Sequence, residues 1–265
     1  MTGAFGKLGS AVRKRMSHPL TRGMDIDHPA TTELRRSILR HNRFLRAIYE
    51  EWYGLLADAL PGGSRPVLEL GSGAGFFRDH VPGLITTDLW PLASVDVVAD
   101  ARRLPLADRS LRAIAMTNVL HHIPDVRSFL SEAARCVAEG GALAMVEPWL
   151  TGWSRLIYTR LHHEPFEPEA TDWTVPATGP LSGANGALPW IVFERDRPRF
   201  ERDFPMWRIE TIRPIMPLRY LVSGGMSWRP VMPAWTTGPW RALERAWPIR
   251  RGAMFALIVL RRVAA

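Results

Sequence analysis

The sequence predicts an α/β protein built on a doubly wound, mostly parallel sheet. Three observations lead there. Residues 67–70, Val-Leu-Glu-Leu, form an apolar run that breaks into a turn with glycine at 71, 73 and 75. Short apolar runs then alternate with a helical pattern as far as Pro148, and two further strand-like runs stand near the C-terminus.

From the N-terminus, residues 1–30 read as a poorly ordered basic segment, in which Lys7, Arg13, Lys14, Arg15 and Arg22 precede the first acid, Asp25. Leu34, Ile38, Leu45, Ile48, Tyr49, Trp52, Leu55, Leu56 and Leu60 then recur at helical spacing. Pro61-Gly62-Gly63 ends the run, so one long or two shorter helices occupy 31–63. Residues 64–150 carry the alternation of the core. Within it Val126, Phe129, Leu130, Ala133 and Val137 mark one face of a helix that Gly140-Gly141 is expected to stop. Beyond Pro148 the alternation ceases and eight tryptophans fall between Trp153 and Trp247. Two strands are still legible there, 207–212 and 254–259. The insertions around them, 151–205 and 214–252, are too long for simple connections and too aromatic for disorder, so 151–265 reads as a substrate cap plus the last strands.

The turn after the first strand points to a ligand. A glycine lets the backbone bend and lets a ligand approach with no Cβ in the way. In a dinucleotide loop the third glycine falls one place later, where this chain has Phe76, and Glu69 would repel a pyrophosphate. A ligand with an ammonium group suits Glu69 instead, and S-adenosylmethionine carries both an ammonium and a sulfonium.

With these residues the chain resembles the class I S-adenosylmethionine-dependent methyltransferases, in the type 11-like branch that methylates small molecules, and the resemblance runs in register from Val67 to Pro148. It implies a Rossmann-like methyltransferase fold with a seven-stranded, mostly parallel sheet, N-terminal helices and a C-terminal cap. It also implies a set of cofactor contacts: Glu69, Gly71, Ser72, Gly73, Gly75, Asp88, Leu89, Asp100, Ala101 and Asn118. Asp88, closing a second strand at 84–88, takes the place of the carboxylate that holds both ribose hydroxyls, and Leu89 faces the adenine. Asp96 and Asp100 share one strand face; Asp100, at the carboxyl end, is favoured for the adenine amino group.

His121 and His122 follow the fourth strand, where the resemblance opens the sheet toward the transferred methyl, and an imidazole suits a base near neutral pH. Only one is expected to face the pocket, with His122 preferred narrowly. Glu147, ending the fifth strand, is read as an acceptor contact or a plain strand terminus. His162-His163-Glu164 could suggest a metal, but three consecutive ligands cannot all point inward from one regular element, so no metal is expected.

Composition bounds the rest. The formal charge of +8 invites a nucleic-acid partner, yet outside the first 25 residues carboxylates lie between the arginines. The Asn/Asp-Pro-Pro-aromatic motif of amino-methyltransferases is absent at Asn118-Val119-Leu120-His121, and the lone Cys136 falls too late for carbon-5 chemistry, so nucleic acid is disfavoured. The single cysteine suits a reducing compartment. No apolar stretch approaches a membrane span and no secretory signal is evident, so a cytoplasmic protein is expected, with peripheral membrane contact if the acceptor is lipid-linked. The expected activity is O- or C-methylation of a small or lipid-linked acceptor. The rivals are a non-catalytic S-adenosylmethionine-binding protein, an RNA or protein methyltransferase, and, more weakly, an NAD-dependent oxidoreductase. The sequence leaves the oligomeric state open.

Overall fold

A computed structural model describes residues 18–264 apart from Arg22, Leu161, His163 and Val231. The basic cluster at Lys7, Arg13, Lys14, Arg15 and Arg22 therefore lies outside the described residues. Seven strands, β1 (Val67–Leu70), β2 (Ile85–Asp88), β3 (Val97–Val98), β4 (Leu111–Thr117), β5 (Val137–Pro148), β6 (Trp207–Ile215) and β7 (Phe255–Arg262), form one sheet in the order β3-β2-β1-β4-β5-β7-β6. Pairings from β3 to β5 are parallel, whereas β7 is antiparallel to both β5 and β6. The order reverses between β1 and β4. Ligands of open α/β sheets bind outside the carboxyl ends of strands at such a point.

Two helices precede the sheet, α1 (Pro29–His41) and α2 (Arg43–Ala59). Asn42 separates them: it ends α1 and its side chain accepts from the Leu45 amide to start α2. The predicted apolar stripe is the buried face of α2, where Phe44, Leu45, Ile48, Tyr49, Trp52, Tyr53 and Leu56 sit against the sheet, Trp52 with its ring 4.8 Å from that of Phe255. On α3 (Val126–Cys136) the N-cap is Asp125, whose carboxylate accepts from Arg127 and Ser128.

Two expectations change. The helix α3 ends at Cys136, and β5 begins at once at Val137, so Gly140-Gly141 lies inside a strand. There it makes a bulge: Leu111 pairs with Val137, but Ala113 pairs with Ala142. Gly140 has φ +78°, and a Cβ on Gly141 would stand 2.4 Å from Val137 and 2.7 Å from the Ala138 carbonyl. The described residues between His18 and His28, in a segment expected to be poorly ordered, are tied to the cap through His18 and Asp27. The His18 amide donates to Ser227 (2.8 Å), and Asp27 accepts from the amides of Leu181 (2.7 Å) and Ser182 (3.0 Å). The cap is largely helical: α4 (Gly152–Arg160), a turn at Leu188–Trp190 that continues as a π-helix over Ile191–Arg195, α5 (Arg197–Asp203), α6 (Arg219–Ser223), α7 (Thr237–Ala246) and α8 (Ile249–Gly252). Its buried aromatics Trp173, Phe193 and Phe200 belong to the same core as the sheet. No helix among the described residues is long and apolar enough to cross a membrane.

Candidate functional site

A cavity of about 270 Å³ opens at the carboxyl ends of β1, β2 and β4 and continues under the cap. Glu69, Gly71, Ser72, Gly73, Gly75, Asp88, Leu89, Asp100, Ala101, Asn118, His121 and His122 all line it. Asp96 does not. Its carboxylate accepts from the Thr86 amide (2.9 Å) and pairs with Arg78.

The first half of the cavity is a backbone cradle. Gly71 and Gly73 have φ of +62° and +36°, a region that strains other residues, and a Cβ on Gly71 would lie 2.6 Å from Val119. Asp88 shapes the same turn: one oxygen accepts from the Gly73 amide and the other from the Trp90 amide, both at 3.1 Å. Glu69 sits below, 4% exposed, and burial pushes its carboxyl up to about 7 against the pull of Ser72, Arg78 and Arg36. Asn118 leaves β4 with φ +56°. Its Oδ1, like Thr117 Oγ1, is buried with no hydrogen-bond partner among the described residues. Leu89 is 46% exposed at the lip, and Asp100 is held by the Arg102 guanidinium at 2.6 to 3.1 Å.

The second half is an aromatic chamber between the N-terminal helices and the cap. Tyr49 and Tyr53 come from α2, Tyr158 from α4, Tyr220 from α6, Phe255 from β7, and Phe166 from the cap. Arg35 of α1 reaches the wall, with its Nε buried and unpartnered among the described residues.

The chamber's polar end is a short 3-10 turn at Leu120–His122, which brings the two imidazoles to 4.2 Å. Both histidines line the cavity, which corrects the expectation that only one would. They differ in charge. Burial alone would lower His121, but Glu147, 2.6 Å from Nδ1, and Glu164, 3.6 Å from Nε2, outweigh it and raise His121 to about 9. Burial and then the neighbouring His121 lower His122 to about 3, while its Nδ1 lies 3.2 Å from the Gly183 carbonyl. Glu164 is also lowered: its burial opposes this, but the bond to His121 and the nearby histidines prevail.

Glu147 has a different place from the one expected. It is fully buried and does not line the cavity; it accepts from the amides of Val119 and Leu120, both at 2.8 Å, and from His121. It positions the histidine turn. Sequence reading also missed Arg35, Tyr53, Tyr158 and Tyr220 as lining residues. For Tyr53, as for Tyr49 on the same helix, the available signal was a phenol on a stripe otherwise apolar, since a buried hydroxyl seeks a partner. Of His162-His163-Glu164, His163 lies outside the described residues, and Glu164 joins His121 and His122.

Residues 68–145 match the model of a family described as a methyltransferase domain. The chain carries a class I S-adenosylmethionine-dependent methyltransferase domain. Solved structures agree on the fold. A geranyl diphosphate C-methyltransferase from Streptomyces coelicolor A3(2) is 12% identical with a TM-score of 0.50, over 99% of this chain and 100% of that one. A chain from the complex between the Haloferax volcanii Trm112 methyltransferase activator and a methyltransferase is 16% identical with a TM-score of 0.51, over 87% and 98%. No curated protein matches the chain in sequence. The cradle has a chemistry that fits the cofactor: a buried acidic side chain at Glu69, open backbone at Gly71 and Gly73, and polar atoms at Thr117 and Asn118 that have no partner among the described residues.

Proposed function

We propose that the protein methylates an oxygen or carbon of a small or lipid-linked acceptor whose apolar body fills the aromatic chamber. The observation that carries this reading is continuity: one cavity joins the glycine cradle to the chamber and to its polar histidine end. When bound, S-adenosylmethionine supplies an electrophilic methyl on a cationic sulfur. Glu69 meets its ammonium with Ser72, Gly75 and Asn118 beside it, Asp88 the ribose hydroxyls, and Leu89, Asp100 and Ala101 the adenine. The exposed Leu89 gains a flat apolar partner in this way. On the acceptor side the aromatic walls exclude water and hold the acceptor in line, which is where most of the rate enhancement of a displacement arises. Arg35 offers its free Nε to an acidic group on the acceptor. His121 and His122 face the atom that receives the methyl.

The test is turnover on a panel of phenolic, isoprenoid and lipid-linked acids, reading S-adenosylhomocysteine release. At least one class is expected to turn over. Cofactor binding with no transfer to any of them would leave a non-catalytic binder.

Glu69 gives the cofactor affinity a pH dependence. Its raised pKa means that the free site is protonated below about 7, and a bound ammonium favours the charged form. Binding below pH 7 therefore expels a proton, so affinity rises with pH up to about 7, by at most about tenfold per unit. It falls again above about 8 as the ligand's α-ammonium deprotonates. Calorimetric titration from pH 5.5 to 8.5 is expected to show this rise, and Glu69→Gln to flatten its acid limb. An acid limb that persists in the variant would assign it to another group.

Peripheral membrane contact has a surface to match. No residue of α7 is buried, Trp235 and Leu243 are 79% and 47% exposed, and the nearby Arg245, Arg250 and Arg251 are exposed. Flotation with anionic vesicles is expected to carry the protein upward, and Trp235→Ser with Leu243→Ser to reduce this. Protein left in solution with both anionic and neutral vesicles would contradict the contact.

A further inference from the structure

We propose that His121, His122 and Glu164 bind a divalent first-row transition ion at the polar end of the acceptor chamber. One ring nitrogen from each histidine and one oxygen of Glu164 lie within 4.8 Å of one another, and all three residues line the cavity. Metal–nitrogen and metal–oxygen bonds of about 2.0–2.2 Å require these atoms to draw together by roughly an ångström, which side-chain rotation supplies.

The surroundings of the two rings are those that metal-bound histidines need. His121 Nδ1 stands 2.6 Å from Glu147 and His122 Nδ1 stands 3.2 Å from the Gly183 carbonyl. Each acceptor takes an Nδ1–H, which leaves Nε2 as the ligating atom, fixes the ring and raises its basicity. Glu147 is in turn anchored by the amides of Val119 and Leu120. Consecutive residues usually diverge; here the 3-10 turn sets the rings 4.2 Å apart. Charge points the same way. Glu147 and Glu164 flank His121 at 2.6 Å and 3.6 Å, which places two carboxylates beside the ring.

Two nitrogens and one oxygen suit zinc, cobalt, manganese, iron or nickel better than magnesium or calcium, which prefer oxygen alone. With three ligands on the protein side, the remaining positions face the chamber, as in catalytic rather than structural sites. Resting on the proposed acceptor reading, an acceptor oxygen takes one of them. Its O–H proton leaves to water, the electron pair stays on the oxygen, and the ion stabilises that anion as the nucleophile. The histidines are then ligands, and no base is needed from them.

The experiment titrates the untagged full chain, stripped with chelator, with cobalt(II) alone and follows its visible absorption. One ion per chain is expected, displaced by zinc(II) and not by millimolar magnesium. Glu164→Gln and His122→Ala are each expected to weaken cobalt binding at least tenfold while still binding S-adenosylhomocysteine by calorimetry, which reports a folded cradle. Absence of cobalt bands in a wild-type chain that binds S-adenosylhomocysteine would overturn the ion site, as would bands unchanged in both variants. Cobalt binding without S-adenosylhomocysteine binding would support the ion site and overturn the cofactor reading, so the two failures are separable.

Discussion

Replacing Glu147 with alanine is expected to destabilise the protein by about 3–5 kcal/mol. The carboxylate is completely buried and serves three donors at once: the amides of Val119 and Leu120 and the imidazole of His121. Its removal leaves two buried backbone N–H groups without an acceptor and takes from the His121 ring the nearer of its two carboxylates, and each unmet donor carries the cost of its lost hydration. Chemical denaturation measures the loss. Glu147→Gln keeps an oxygen for the two amides and loses only the charge facing His121, so it is expected to retain part of the stability. Denaturation of the alanine variant at the wild-type midpoint would show that the histidine turn is held by other contacts.

The second large effect falls on binding. Asp88→Ala is expected to weaken S-adenosylhomocysteine binding by about 1–3 kcal/mol, roughly 5- to 150-fold. Two losses combine. The carboxylate proposed for the ribose hydroxyls disappears, and so do its bonds to Gly73 and Trp90, which fix the cradle's backbone. Asp88→Asn keeps an acceptor for one amide and separates the two contributions. Affinity unchanged in both variants would place the ribose contact elsewhere.

What the sequence made legible were features written locally. The run from Val67 to Leu70, the glycines after it and Asp88 one strand later sit where simple patterning puts them, because apolar strands and positive-φ glycines are set by a few adjacent residues. Gly140-Gly141 misled because a glycine pair after an apolar helical face satisfies a helix end and a strand bulge alike; the pairing with Leu111 and Ala113, far away in sequence, decides between them. Glu164 likewise looked like part of a local histidine motif. Its partner His121 lies 43 residues earlier, and only the closure of the cap over the sheet brings the two within 3.6 Å. Arg35 lies outside the apolar periodicity of the N-terminal helices and Tyr49 within it, and apart from the Tyr49 phenol nothing in their own neighbourhood marks them as walls of a chamber completed by Tyr158, Tyr220 and Phe255. Residues 18–28 show the same limit, since Asp27 is tied down by Leu181 and Ser182.

The central claim is that a buried acid beneath a glycine turn selects a cationic methyl donor over a dinucleotide. Calorimetric titration of the full chain at pH 7.5 with S-adenosylmethionine and, separately, with NADH tests it most directly. One equivalent of S-adenosylmethionine is expected to bind, more weakly when Glu69 is glutamine, with no heat of binding from NADH. Saturable binding of NADH in its place, or S-adenosylmethionine affinity indifferent to the charge at Glu69, would contradict the account.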